Sequence, residues 1–197
     1  MRNYVSALGF ALAIAFPQVA GAQTVTPPDV PANLRVPAGN QAFLIGHALL
    51  GSQNYVCAQD KSVGQIAWTL FTPQATLFDD GAEQIITHFF SQNPAEGGIV
   101  RATWESSTDT STVWAKANAA STDPAFVNQN AVAWVLLQVV GTRVGPTGGA
   151  SLTGTTFIQR VNTFGGLPPS TGCDVPTDLG AKAFIPYTAD YVFFKKN

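Results

Sequence analysis

Apolar and polar side chains alternate along one short segment after another, and this period of two constrains the fold more than any other feature of the chain. Within residues 99–105, Val100, Ala102 and Trp104 fall on one side and Arg101, Thr103 and Glu105 on the other, the repeat of a half-buried strand. Ile66, Trp68 and Leu70 share a face in the same way within residues 65–71. Segments 54–58, 76–78, 85–90, 112–117, 152–161 and 184–194 also read as strands, separated by turn residues such as Asp79-Asp80-Gly81. Residues 131–140 are apolar throughout apart from Gln138. Such a run suits a buried helix or a buried strand, and its valines with Trp134 favour a central strand. Residues 141–151 and 162–180 are rich in Gly, Pro, Ser and Thr and read as loops. About nine strands with almost no helical periodicity predict an all-β, mostly antiparallel domain, a β-sandwich or jelly roll, with a barrel as the neighbouring solution.

The N-terminal residues follow a different logic. Arg2 precedes an apolar stretch ending at Phe16, Pro17 breaks it, and Ala20-Gly21-Ala22 presents small residues in the pattern of a signal-peptidase site. Residues 1–22 are therefore expected to be a signal peptide, cleaved between Ala22 and Gln23. The stretch is shorter than the roughly 20 apolar residues that span a bilayer, and no later segment reads as a membrane span. Residues 23–40 contain four prolines and read as an extended arm pinned to the domain at Leu34 and Val36. Residues 41–197 then form one β domain, with no internal repeat.

Only 11% of the residues are charged. Without Arg2, nine Lys and Arg face twelve Asp and Glu, and no basic face is concentrated enough for nucleic acid. The two cysteines, Cys57 and Cys173, imply a disulfide in an exported protein; a pair of free or catalytic thiols is the competing reading.

Chemistry-bearing residues are sparse. His47 and His88 sit in no metal-ligand spacing, and no metal or cofactor is expected. His88, flanked by strand residues, is the candidate acid or base of a hydrolase-like site, with Glu105 or Asp109 as its carboxylate. The bland alternative is a histidine hydrogen-bonded to backbone. Asp79-Asp80-Gly81 is read as a hairpin turn rather than a calcium loop. Trp114 falls opposite Val113 and Ala115 and is expected to be exposed, a platform for a sugar ring; Arg101 is the companion binding candidate.

The ordered motifs also carry a resemblance. Val36-Pro-Ala-Gly-Asn40, Gln53, Tyr55 and Cys57 are followed by Trp68-Thr-Leu-Phe-Thr-Pro-Gln-Ala-Thr-Leu-Phe78 and Thr87-His-Phe89. Then come Thr103-Trp-Glu105, Trp134-Val-Leu-Leu137, Phe157-Ile-Gln-Arg-Val-Asn-Thr163, Cys173-Asp174 and Ile185-Pro-Tyr-Thr-Ala-Asp-Tyr191. Together they resemble an uncharacterised exported family, domain of unknown function 3455. Residues 91–101 and Asp109-Thr-Ser111 depart from its usual pattern. The resemblance implies export, one domain and pairing of the two cysteines, and no activity. The expected function is a non-enzymatic surface or matrix protein binding a cell-wall polysaccharide or a small ligand. The alternatives are the His88 hydrolase and a protein that self-assembles through an exposed sheet edge.

Overall fold

The computed structural model describes residues 25–59 and 64–197; the signal-peptide reading and its Ala22/Gln23 cleavage lie outside the described residues. Eight strands follow in chain order: β1 (Asn40–Gln59), β2 (Ile66–Phe78), β3 (Gln84–Asn93), β4 (Ile99–Ser106), β5 (Thr112–Ser121), β6 (Trp134–Arg143), β7 (Thr155–Gly165) and β8 (Lys182–Lys196). Each pairs antiparallel with the next, and β1 pairs with β8. The result is a closed up-and-down barrel.

The all-β, antiparallel expectation therefore holds, while the sandwich or jelly roll does not form. The physical reason lies in β1, which is long enough to hydrogen-bond β2 along one side and β8 along the other. Register shifts between Ala42 and Leu44 and between Ala48 and Gly51 on the β8 side, and between His47 and Leu50 and between Asn54 and Tyr55 on the β2 side, bend it. Such bulges add the local twist that curls a sheet onto itself. Gly51 sits at this bend because a Cβ there would come within 2.7 Å of the Tyr187 ring. Closure also removes the free sheet edge on which self-assembly was to depend.

Alternation sorts the side chains into two cores. Inward positions of β8 (Tyr187, Ala189, Tyr191, Phe193) meet Leu77, Ile86, Trp104, Val113 and Ile158 inside the barrel. Leu152, from the β6–β7 connection, closes one end. Outward positions of β6, β7 and β8 (Trp134, Leu136, Val161, Val192, Phe194) form a second core on the barrel wall. The proline-rich arm covers it: Leu34 is fully buried there, in a short 3₁₀ turn at Ala32–Leu34, with Val30 and Val36 beside it. Gln159 fixes the arm by donating from Nε2 to the Leu34 carbonyl at 2.7 Å. Residues 131–140, ambiguous by periodicity, do hold a strand, entered at Trp134.

Cys57 and Cys173 form a disulfide that ties the end of β1 to the β7–β8 connection. Among the described residues no helix is long and apolar enough to cross a membrane.

Candidate functional site

Among the described residues one end of the barrel is open. It is the end at which β1, β3, β5 and β7 finish, where inward side chains bound a cavity of about 290 Å³. Every strand contributes: Gln53 from β1, Pro73 from β2, His88 from β3, Trp104 from β4, Ala115 from β5, Leu137 from β6, Arg160 from β7 and Tyr191 from β8. Most of the wall is apolar, with polar side chains entering from β1, β3, β7 and β8 and Arg101 and Lys116 from β4 and β5. A wider depression of about 780 Å³ lies on the outer wall at the opposite end. One of its sides is Val25, where the described residues begin.

His88 stands at the floor, 3% exposed. Its ring stacks on Trp104, with centroids 4.3 Å apart and planes 11° from parallel, and lies 5.1 Å from the Tyr191 ring. Nδ1–H donates to the Thr103 carbonyl at 2.8 Å, which fixes the tautomer and leaves Nε2 as an acceptor. Burial drives its pKa down to about 3; the Thr103 bond opposes this and the Arg160 charge adds to it. His88 is therefore neutral at ordinary pH. Beside it the Tyr187 and Tyr191 hydroxyls meet at 3.0 Å, and burial raises the pKa of both.

Arg160 is the cation of the lumen. It occupies an inward position of β7, between Gln159 and Val161, which face the arm. Nη2 donates to the Ala133 carbonyl at 2.8 Å, and Nε is buried without an acceptor. Its charge acts on Tyr55, His88, Tyr187 and Tyr191 alike. Gln53 Nε2 and Trp104 Nε1 are likewise buried without partners. Three of the lumen's polar side chains are thus left incompletely satisfied, in a class of atom that folded proteins nearly always pair.

The residues singled out from sequence fare differently. His88 is in the lumen, but neither carboxylate joins it. Glu105 is opposite Thr87 in the β3–β4 ladder, a position of outward parity, and accepts from Thr112 Oγ1 at 3.4 Å. Asp109 holds the β4–β5 turn to the β6–β7 connection, accepting from Ser111 N, Ser111 Oγ and Ser151 N at 2.7–2.9 Å. Burial would raise the Asp109 pKa, but these bonds outweigh it and hold the group well below the usual carboxylate range. Its role is structural.

Trp114 does face outward, opposite Val113 and Ala115, yet it is only 3% exposed, so the expected sugar platform is absent. Its indole N–H donates to Ser91 Oγ at 2.8 Å, and the Arg143 guanidinium covers the ring at 5.5 Å. Arg101 lines the cavity, but Glu96 engages its guanidinium with two oxygens at 2.7 and 2.8 Å. The bonds from Arg101 and then Asn93 lower the Glu96 pKa to about 2.

Gln53, Arg160, Tyr187 and Tyr191 went unrecognised as site residues in the sequence. A cation two residues after Ile158, on the face that Ile158 turns inward, was the available signal. A second missed cluster lies on the outer wall. His47 Nδ1 contacts Asp190 Oδ1 at 2.7 Å and Nε2 contacts Asp80 Oδ1 at 3.1 Å, while Asn162 donates to Asp190 Oδ2. Partial burial lowers the His47 pKa, but the Asp190 and Asp80 interactions outweigh it and the net shift is upward. Among the described residues no cluster of three or more His, Cys, Asp or Glu could hold a metal ion. Asp79 accepts from Gly81 N and Glu83 N, both at 2.9 Å, the bonding of a turn.

No curated protein matches the chain, and no solved structure does. Residues 37–195 match the family described as protein of unknown function (DUF3455), a span running from just before β1 to the end of β8. On that match the chain belongs to the DUF3455 family.

Proposed function

We propose that this protein is an exported, non-enzymatic binding protein that takes a small organic molecule into the open end of its barrel. The observation that carries this reading is the lumen itself: a concave, largely apolar cavity to which all eight strands contribute, with incompletely satisfied polar groups entering it from β1, β4 and β7. That combination is the usual construction of a small-molecule site. At about 30 Å³ per water, the cavity holds on the order of ten waters, the scale of a one- or two-ring compound rather than a polysaccharide chain. The Cys57–Cys173 bond fits an oxidising compartment.

A non-catalytic role is favoured because the one histidine in the cavity is held neutral by burial and by a backbone bond, with no carboxylate bonded to it. The general-base arrangement of a hydrolase needs such a partner to orient the ring and to stabilise the imidazolium that forms.

Isothermal titration with 2-naphthol tests the reading. Saturable one-site binding is expected, abolished by Ala117→Trp, which fills the rim from an exposed position. Absence of binding in the wild-type chain, or binding unchanged in the variant, overturns it.

A further inference from the structure

Resting on that reading, we infer that the lumen is built for an anion, namely a small monocarboxylic acid with an apolar, ring-sized body whose carboxylate pairs with Arg160. The inference starts from charge. Three ion pairs occur among the described residues: His47 with Asp80, His47 with Asp190, and Arg101 with Glu96. Arg160 is in none of them, although it lies inside the barrel. A guanidinium even partly withdrawn from water is ordinarily paired with an acid, whereas half-buried Arg160 has only the Ala133 carbonyl and the Tyr191 hydroxyl as partners, both uncharged, and its Nε has no acceptor.

The surroundings supply no counter-charge. Among the described residues no Asp or Glu lines the cavity, whereas Arg101 and Lys116 stand at its rim. Glu96, the carboxylate near that rim, is already taken by Arg101 and Asn93. The same unbalanced charge is felt by the lumen's titratable groups: it opposes protonation of His88 and pulls against the burial-raised pKa values of Tyr187 and Tyr191. A bound anion would satisfy the guanidinium and cancel this field at one stroke.

The geometry favours a carboxylate over a phosphate. One guanidinium offers a planar fork that matches two carboxylate oxygens. A dianionic phosphate wants several donors, such as a run of backbone amides at a helix terminus or nest. Here the apolar part of the wall includes Leu70, Phe90, Ala115, Val135 and Leu137, with the Trp104 ring, which suits an apolar body.

The experiment is a matched pair of probes, 2-naphthoate and its neutral isostere 2-naphthamide, titrated calorimetrically into the wild-type protein at pH 7. The acid is expected to bind at least about tenfold more tightly than the amide, the scale of one charge-assisted pairing. Arg160→Gln should remove that preference while leaving amide binding within about twofold, and Arg160→Lys should restore part of it. Equal binding of both probes to the wild-type chain overturns the inference and leaves the cavity reading standing. Binding of neither, together with no response to 2-naphthol, removes both. An equal loss of both probes in a folded Arg160→Gln protein, judged by circular dichroism, also overturns it. The wild-type comparison needs no variant to fold.

Discussion

Replacing His88 by phenylalanine should change how the barrel responds to acid, by an amount the structure fixes. The imidazole is buried and neutral with a pKa of about 3, against 6.5 for a solvated histidine. Between these values the unfolded chain binds a proton that the folded chain refuses, so stability is full above pH 6.5 and falls as the pH drops. The slope is about 1.4 kcal/mol per pH unit, and the loss between pH 7 and pH 4.5 comes to about 2.5 kcal/mol. With a urea m-value of about 2 kcal/mol/M, His88 alone moves the unfolding midpoint by about 1.2 M. Phenylalanine keeps a ring against Trp104 but strands the Thr103 carbonyl, which costs about 1–3 kcal/mol at every pH. The quantity to measure is therefore the difference of differences: urea midpoints of wild type and His88→Phe at pH 7 and pH 4.5. Carboxylates and His47 titrate in both proteins and cancel. The variant should lose about 1.2 M less than the wild type on acidification. Parallel pH profiles would refute the account of a buried, neutral His88.

His47 should behave oppositely, because its folded pKa is raised: its stabilisation is complete below pH 6.5 and is lost as the pH rises through the folded value. The melting-temperature gap between wild type and His47→Gln should be wider at pH 6 than at pH 8.5, and small, about 0.5 kcal/mol, because the pair is solvent-screened. The Cys57–Cys173 bond closes a loop with a sequence separation of 116, so a double serine variant should lose about 4–5 kcal/mol in denaturant titration; a loss under about 1 kcal/mol would contradict the entropic account. Asp109→Ala removes three charge-assisted bonds that join two connections and should cost about 2–3 kcal/mol. Amide exchange at Ser111 and Ser151 should accelerate in that variant more than exchange in β8.

Strand identity was legible wherever one face is buried and the register is unbroken. In β4, Ala102 and Trp104 point inward as the alternation requires, and in β8 the odd-numbered residues from Tyr187 to Phe193 do the same. Most of β1 escaped notice because its bulges shift the phase of the alternation, so that Gly51, Ala48 and Gly46 all face inward across a break. The barrel was legible only as the neighbouring solution to a sandwich, since choosing it depends on pairing residue 40 with residue 196, and local periodicity carries no such information. Trp114 illustrates a subtler limit. Its parity was read correctly, but its burial depends on Ser91 and Arg143, which reach it from β3 and β6. The site is spread in the same manner, one or two residues per strand from Gln53 to Tyr191. Only the barrel brings them to one place.

The pairing of β1 with β8 makes the first strand the partner of the last. Antiparallel neighbours along the chain can zip as each hairpin emerges, but the seam joining residues 40–56 to residues 182–196 closes over nearly the whole length of the domain and bears its loop-closure entropy. Without β8 the sheet has free edges at β1 and β7, and the lumen lacks the wall that Tyr191 supplies. The lumen comes into being when the final strand docks, so the shaping of the cavity and the completion of folding are one event in this molecule.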